Sequence, residues 1–266
     1  LKKKKHIIMV FLFVIAFLVI VNIPNKTKSE DNSGIPTVFV HGYKGTANSF
    51  GTMLERFTEN GWGKKKLMYY VSSNGKVHDY YSKGDTSNPF IQIILQNNRA
   101  SFADSTEWLA TALRHLKKNY GVDTVNLVGH SMGGIISTKY TIEYNDSAYP
   151  NVNKLIVIGS PFDGIYSEEY FQVHHDPAAT DLKPKSLALR LFKESRFPNH
   201  ISVLSIGSTG DAIAFPDSVN AVNKVIPARQ LKKIMIENEG LGHSTLHESV
   251  DVDSMIHSFL WQDGTQ

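Results

Sequence analysis

The chain has 266 residues, 41% of them apolar and 20% charged, which suffices for one sizeable core and lies outside the range of disordered or collagen-like chains. Formal net charge is +3, but Lys2–Lys5 bring four positive charges, and the remainder stands at −1, so a large nucleic-acid footprint is not expected. With no cysteine there are no disulfides, no thiolate zinc site, no cysteine nucleophile and no lipidated cysteine.

The lysine block precedes an unbroken apolar run, Ile7 to Val21. A basic stretch followed by an apolar one is the pattern of an export signal. The run is shorter than the ~20 residues of a full membrane span. No small-x-small cleavage site follows Val21, so an uncleaved membrane anchor stays open beside a cleaved signal. Polar residues 25–34 read as a linker. The expected organisation is therefore residues 1–34 as signal or anchor with linker, and residues 35–266 as one folded domain, exported to the cell surface, the membrane or the medium.

From Thr37 onward, strand-like and helix-like segments alternate. Thr37–Val40 is a short apolar run of the kind found in buried parallel strands. Phe50, Met53, Leu54 and Phe57 recur at helical spacing, and Gly61 closes that helix. Lys64–Lys66 read as a solvated turn before a strand at Leu67–Val71. Asn74-Gly75 reads as a tight turn, and Phe90–Leu95 as a further apolar run. A helix is expected from Asp104 or Ser105 to Gly121, with Trp108, Leu109, Ala112, Leu113 and Leu116 on its apolar face. Strands at Thr124–Val128, Leu155–Ile158, Val203–Ile206 and Leu231–Ile236 follow, with a helix at Ile135–Tyr144 and an amphipathic helix at the C-terminus. Such alternation implies an α/β fold, a mostly parallel sheet covered by helices on both faces. Residues 163–200 form a long insert with one clear helical segment near Lys185–Glu194. Inserts of that length in compact domains are commonly lids.

Gly129-His130-Ser131-Met132-Gly133 lies between a strand and a helix, the setting of a nucleophile elbow. Ser131 is the expected nucleophile. A serine hydroxyl needs a base, and the base needs an orienting acid. In the chain order Ser, acid, His, the base is His243, in a glycine-rich loop after the last strand, in preference to His247. His257 falls on a surface expected to face solvent. Asp211, the first acid after the strand Val203–Ile206, is preferred to Asp217. The oxyanion donors are assigned to the backbone N–H groups of Tyr43, after His41-Gly42, and of Met132. His41 itself reads as structural. His174-His175-Asp176 reads as a surface cluster on the lid, so neither a metal nor any other cofactor is called for.

His41-Gly42, Asn88-Pro89-Phe90-Ile91-Gln92, Gly129–Gly134, Gly159-Ser160-Pro161-Phe162-Asp163-Gly164 and Gly242-His243-Ser244-Thr245-Leu246-His247-Glu248 occur together in this order. That set resembles a bacterial family of cell-surface α/β hydrolases whose natural substrate is uncharacterised. The resemblance implies the α/β-hydrolase fold and supports Ser131 and His243 as catalytic. It also implies that His247 and Glu248 begin the last helical region. Members often carry Asp-Gly in the acid loop, whereas Ala212 follows Asp211 here, so Asp217 stays open. The expected activity is hydrolysis of a small to medium carboxylic ester through an acyl-enzyme. Apolar insert residues Ile165, Tyr166, Tyr170, Phe171, Leu187, Leu189, Leu191 and Phe192 are expected to line its pocket. An amidase or peptidase with the same triad, or a non-catalytic surface binding protein on this scaffold, are the alternatives.

Overall fold

The computed structural model describes residues 34–84 and 86–262. The expectation for the N-terminal segment lies outside the described residues. Eight strands form one sheet in the order β3-β2-β4-β1-β5-β6-β7-β8. They are β1 (Thr37–Val40), β2 (Lys64–Val71), β3 (Val77–Tyr81), β4 (Pro89–Leu95), β5 (Thr124–His130), β6 (Asn151–Ile158), β7 (Ser202–Ser208) and β8 (Leu231–Ile236). All neighbours pair in parallel except β2 and β3, which form an antiparallel hairpin.

The central strands are apolar on both faces because both faces are covered. Phe39, Val128, Ile156 and Ile206 point to one side, where α1 (Gly51–Glu59) and α8 (Val250–His257) contribute Met53, Leu54, Phe57, Val252 and Ile256. Val38, Val40, Leu127 and Val157 point to the other. There α2 (Phe102–Tyr120) and α3 (Met132–Glu143) supply Leu109, Leu113, Ile135 and Ile136. Burying one such aliphatic side chain stabilises the fold by roughly 1.5–3 kcal/mol before chain entropy is counted. On the first face, Phe39 meets Phe50, Phe57 and Phe90 edge-on at centroid distances of 5.3, 6.2 and 5.7 Å.

Several boundaries differ from those read in the sequence. Lys64–Lys66 are the first residues of β2 rather than a turn, Lys64 and Lys65 pairing with Pro89 and Phe90 ahead of a bulge. β3 was not foreseen. Its Val-His-Asp-Tyr-Tyr sequence lies on the sheet edge, almost wholly exposed, and so carries no apolar alternation. The Asn74-Gly75 turn that joins β2 to β3 does form, with Gly75 at φ +75°. α2 starts at Phe102: the Ser101 side chain caps the Asp104 N–H, and Asp181 Oδ2 accepts from the Phe102 N–H at 2.7 Å. The insert holds three helices, α4 (Glu168–Val173), α5 (Pro177–Asp181) and α6 (Leu187–Lys193), capped by Ser167, Asp176 and Ser186. The first two are about one turn long, too short to show a helical period. α7 (Pro216–Asn220) escaped notice for the same reason. His257 is half-buried, one face of its ring stacked on Trp62 at 4.1 Å. No helix among the described residues is long and apolar enough to cross a membrane.

Candidate active site

β5 ends where the chain must reverse into α3 within one residue. Ser131 takes that corner at φ +56°, ψ −128°, a conformation L-residues seldom adopt. The flanking glycines have a steric cause. A Cβ on Gly129 would stand 2.4 Å from the Gly133 carbonyl oxygen, and one on Gly133 would stand 2.2 Å from that of Val40. Gly134 lies against Ser160, where a Cβ would come within 2.1 Å of the hydroxyl. The Ser131 N–H donates to the Ile158 carbonyl at 2.8 Å, tying the corner to β6.

His243 reaches the same point from the loop after β8. Its Nε2 lies 2.9 Å from Ser131 Oγ and its Nδ1 2.8 Å from Asp211 Oδ2. An ionised carboxylate only accepts, so Nδ1 carries the proton and Nε2 is left bare toward the serine hydroxyl. Asp211 is 1% exposed, and its other oxygen accepts from the Ile213 and Ala214 N–H groups at 2.9 and 2.8 Å. Those two bonds, formed by the loop after β7, satisfy the buried carboxylate and fix its direction. Asp217 belongs to α7 and is exposed. The His247 ring packs on His130 and Phe50, with Nδ1 3.1 Å from Glu248 Oε1, in a 3-10 turn at Leu246–Glu248. The structure thus brings Ser131, His243 and Asp211 together and leaves Asp217 and His247 apart from them.

The loop after β1 lies directly against the serine. A Cβ on Gly42 would be 2.7 Å from Ser131 Cβ and 3.3 Å from the Met132 nitrogen. Met132 is the first residue of α3, so its N–H stands outside the helical hydrogen-bond ladder. His41 anchors this loop from beneath: its Nδ1–H donates to the Gly42 carbonyl at 2.9 Å, and its Nε2 accepts from the Leu95 N–H at 3.0 Å. Burial lowers its pKa, which suits the single neutral tautomer these two bonds require. Gly42 packs against Ser131, and Gly159, at φ +52°, lies beside Asp211 Oδ2, so both glycines belong to the site. The adjacent pairs His41-Gly42 and Gly159-Ser160 were the available signal.

Above this loop sits the insert. The Tyr43 hydroxyl donates to Asp176 Oδ2 at 2.6 Å, and the Tyr170 and His174 rings lie 6.1 and 5.5 Å from the Tyr43 ring. Burial and the Asp176 carboxylate raise the Tyr43 pKa, keeping that phenol protonated. His174 takes Lys44 Nζ at 3.1 Å. No group of three or more His, Asp or Glu among the described residues could hold a metal ion. The apolar insert residues divide. Ile165, Leu189 and Phe192 are buried in the core, and Leu187 and Leu191 are exposed on a groove beside Phe102 and Lys139. Of these side chains, Tyr170 is the one in ring contact with the Tyr43 loop.

The family of alpha/beta hydrolases of unknown function termed DUF915 matches residues 24–263. The chain belongs to that family. Solved structures agree on the fold. The lin2722 product of Listeria innocua is 26% identical with a TM-score of 0.69, over 86% of this chain and 95% of that one. A Lactobacillus plantarum protein described as a candidate cell surface hydrolase is 24% identical with a TM-score of 0.66, over 86% and 90%. Carboxylesterase CesB of Bacillus subtilis shares 13% identity with a TM-score of 0.54, over 86% and 84%. No curated protein matches the chain.

Proposed function

We propose that this DUF915 member is a serine hydrolase that cleaves carboxylic esters through an acyl-enzyme. One observation carries the reading: the continuous chain of contacts from Asp211 through His243 to Ser131, at 2.8 and 2.9 Å, with the serine held at a strained strand–helix corner. In this mechanism His243 Nε2 takes the Ser131 proton as Oγ attacks the acyl carbon. The resulting oxyanion is held by the N–H groups of Met132 and Tyr43, backed by the N-terminal end of α3. His243 then returns the proton to the leaving alkoxide, and Ser131 stays acylated. Water, deprotonated by the same imidazole, hydrolyses the acyl-enzyme and restores the serine. Asp211 remains ionised and stabilises the imidazolium at both stages.

An ester is preferred to an amide because an alkoxide departs more readily than an amine, and a carboxylesterase stands among the structural neighbours. The insert leaning on Tyr43 supports a covered cleft for a small to medium acyl group. The basic–apolar N-terminal sequence and the Lactobacillus plantarum neighbour support placement at the cell surface.

Reaction with a fluorophosphonate probe tests the activity class. Labelling confined to Ser131, with turnover of short-chain p-nitrophenyl esters exceeding that of the matching anilides, is the expected outcome. A folded protein that takes no label is a binding protein instead. Faster anilide turnover assigns it to the amidases.

A further inference from the structure

The second residue of the elbow sequence, His130, has no part in the relay above, yet it is buried at 6% exposure between two other histidines. Its ring centroid lies 4.7 Å from those of both His243 and His247. Its Nε2 is 3.0 Å from the main-chain carbonyl oxygen of His243, 113 residues away. A carbonyl oxygen can only accept, so this nitrogen carries the proton and donates. The contact therefore fixes the tautomer of the neutral ring: protonated on Nε2 and bare on Nδ1. Burial, and the nearby His243 and His247, hold its pKa well below the ordinary histidine value, in keeping with that state.

The main chain it grips needs a grip. His243 stands in a loop with Gly240 and Gly242 on its N-terminal side, and its imidazole is the moving part of the proton relay. Contacts of the side chain to Asp211 and Ser131 set the ring plane, and within the loop the Gly242 carbonyl accepts from the Thr245 N–H and hydroxyl at 3.1 and 2.8 Å; the His130 contact is what ties this loop to the elbow. Arg56 holds the other end of the segment. It donates to the His247 carbonyl at 3.2 Å and pairs with the buried Asp253 carboxylate at 2.5 and 3.0 Å. Two side chains, one from the elbow and one from α1, thus clamp the backbone from 243 to 247.

We infer that His130 is a positioning residue for the reaction, its Nε2–H holding the main chain of His243 at the height where the imidazole meets Ser131. The inference rests on the serine-hydrolase reading of the site. Because the donor grows from the residue before the nucleophile, serine and base are referred to the same short piece of backbone. A displacement near 1 Å in such a pair costs about 100-fold in rate.

His130→Gln keeps an N–H donor at nearly the same reach. His130→Met fills the space with no donor. Fluorophosphonate labelling rates at Ser131, together with kcat and KM on a short-chain ester, separate the two. The expectation is a loss in labelling rate and kcat of about 10- to 100-fold for H130M, with KM within about 2-fold, and retention of most activity in H130Q. Equal losses in both variants, or none in H130M, would overturn the inference while leaving Ser131 as nucleophile. Absence of labelling in the folded wild type overturns the hydrolase reading itself, and the positioning role with it. An imidazole 1H–15N spectrum of the wild type gives an answer that does not depend on how the variants fold. An Nε2–H tautomer with a slowly exchanging proton is expected for His130, and an Nδ1–H tautomer would refute the contact.

Discussion

Glycines at 129 and 133 leave no room for a Cβ, so the serine between them was legible wherever backbone sterics dictate side-chain size. Ser131→Ala should therefore abolish labelling and lower ester turnover by several orders of magnitude, with unchanged circular dichroism. Turnover near wild type in that variant would move the nucleophile elsewhere. The acid was less legible. Asp211 and Asp217 lie six residues apart after β7 and bear the same charge, and sequence spacing cannot show which carboxylate turns inward. What separates them is α7, opened by Pro216, which carries Asp217 outward, and the Ile213 and Ala214 N–H groups, which hold Asp211 inward. Asp211→Asn should cut kcat by about 10⁴-fold, as loss of the orienting acid does in other triads, while Asp217→Asn stays within about 2-fold. A larger loss in the second variant would reverse the assignment. His130 was hidden for a plainer reason: its partner is a carbonyl, and no sequence pattern marks a carbonyl.

At the scale of elements, long periodic helices and buried strands were legible, and short or exposed pieces were not. β3 lacks a buried face, and α4, α5 and α7 lack the length to show a period. The insert is where this matters most: Ile165, Leu189 and Phe192 bury it in the core, and its contact with the Tyr43 loop includes a hydrogen bond to Asp176. Asp176 serves two ends at once, capping α5 through the Ala179 N–H at 3.0 Å and accepting from the Tyr43 hydroxyl at 2.6 Å. Tyr43→Phe deletes the second bond alone, whereas Asp176→Ala deletes both and removes a helix cap worth about 1 kcal/mol. Deuterium uptake should rise in residues 41–45 and 168–176 together in Tyr43→Phe, and should extend through α5 in Asp176→Ala. Unchanged uptake at 41–45 in both would mean that the insert and the Tyr43 loop dock independently. Tyr170→Ala belongs to the same test: if the cleft lies beneath this contact, the preferred acyl length should change.

Taken as a whole, the molecule holds its histidines in a way that sets its response to acid. Burial lowers the pKa of His41 and His130, and that of His247 against the opposing pull of Glu248. In each case the folded pKa lies below the unfolded value near 6.5, so below that pH the unfolded chain binds more protons than the native one. The stability these groups contribute is present above about pH 6.5 and is lost as pH falls toward their folded values. Each group adds up to about 1.4 kcal/mol per pH unit to that slope once its unfolded form is charged. Asp181 and Asp253, whose pKa values burial raises, act in the opposite sense. From pH 7.5 to about 6.5 the urea midpoint should hold, and from there to pH 5.5 it should fall at constant m-value, with His130→Gln flattening that fall by its own share. A midpoint independent of pH over the range would mean that these imidazoles are hydrated in the native state. The packing of His130 between the rings of His243 and His247 would then need a different account.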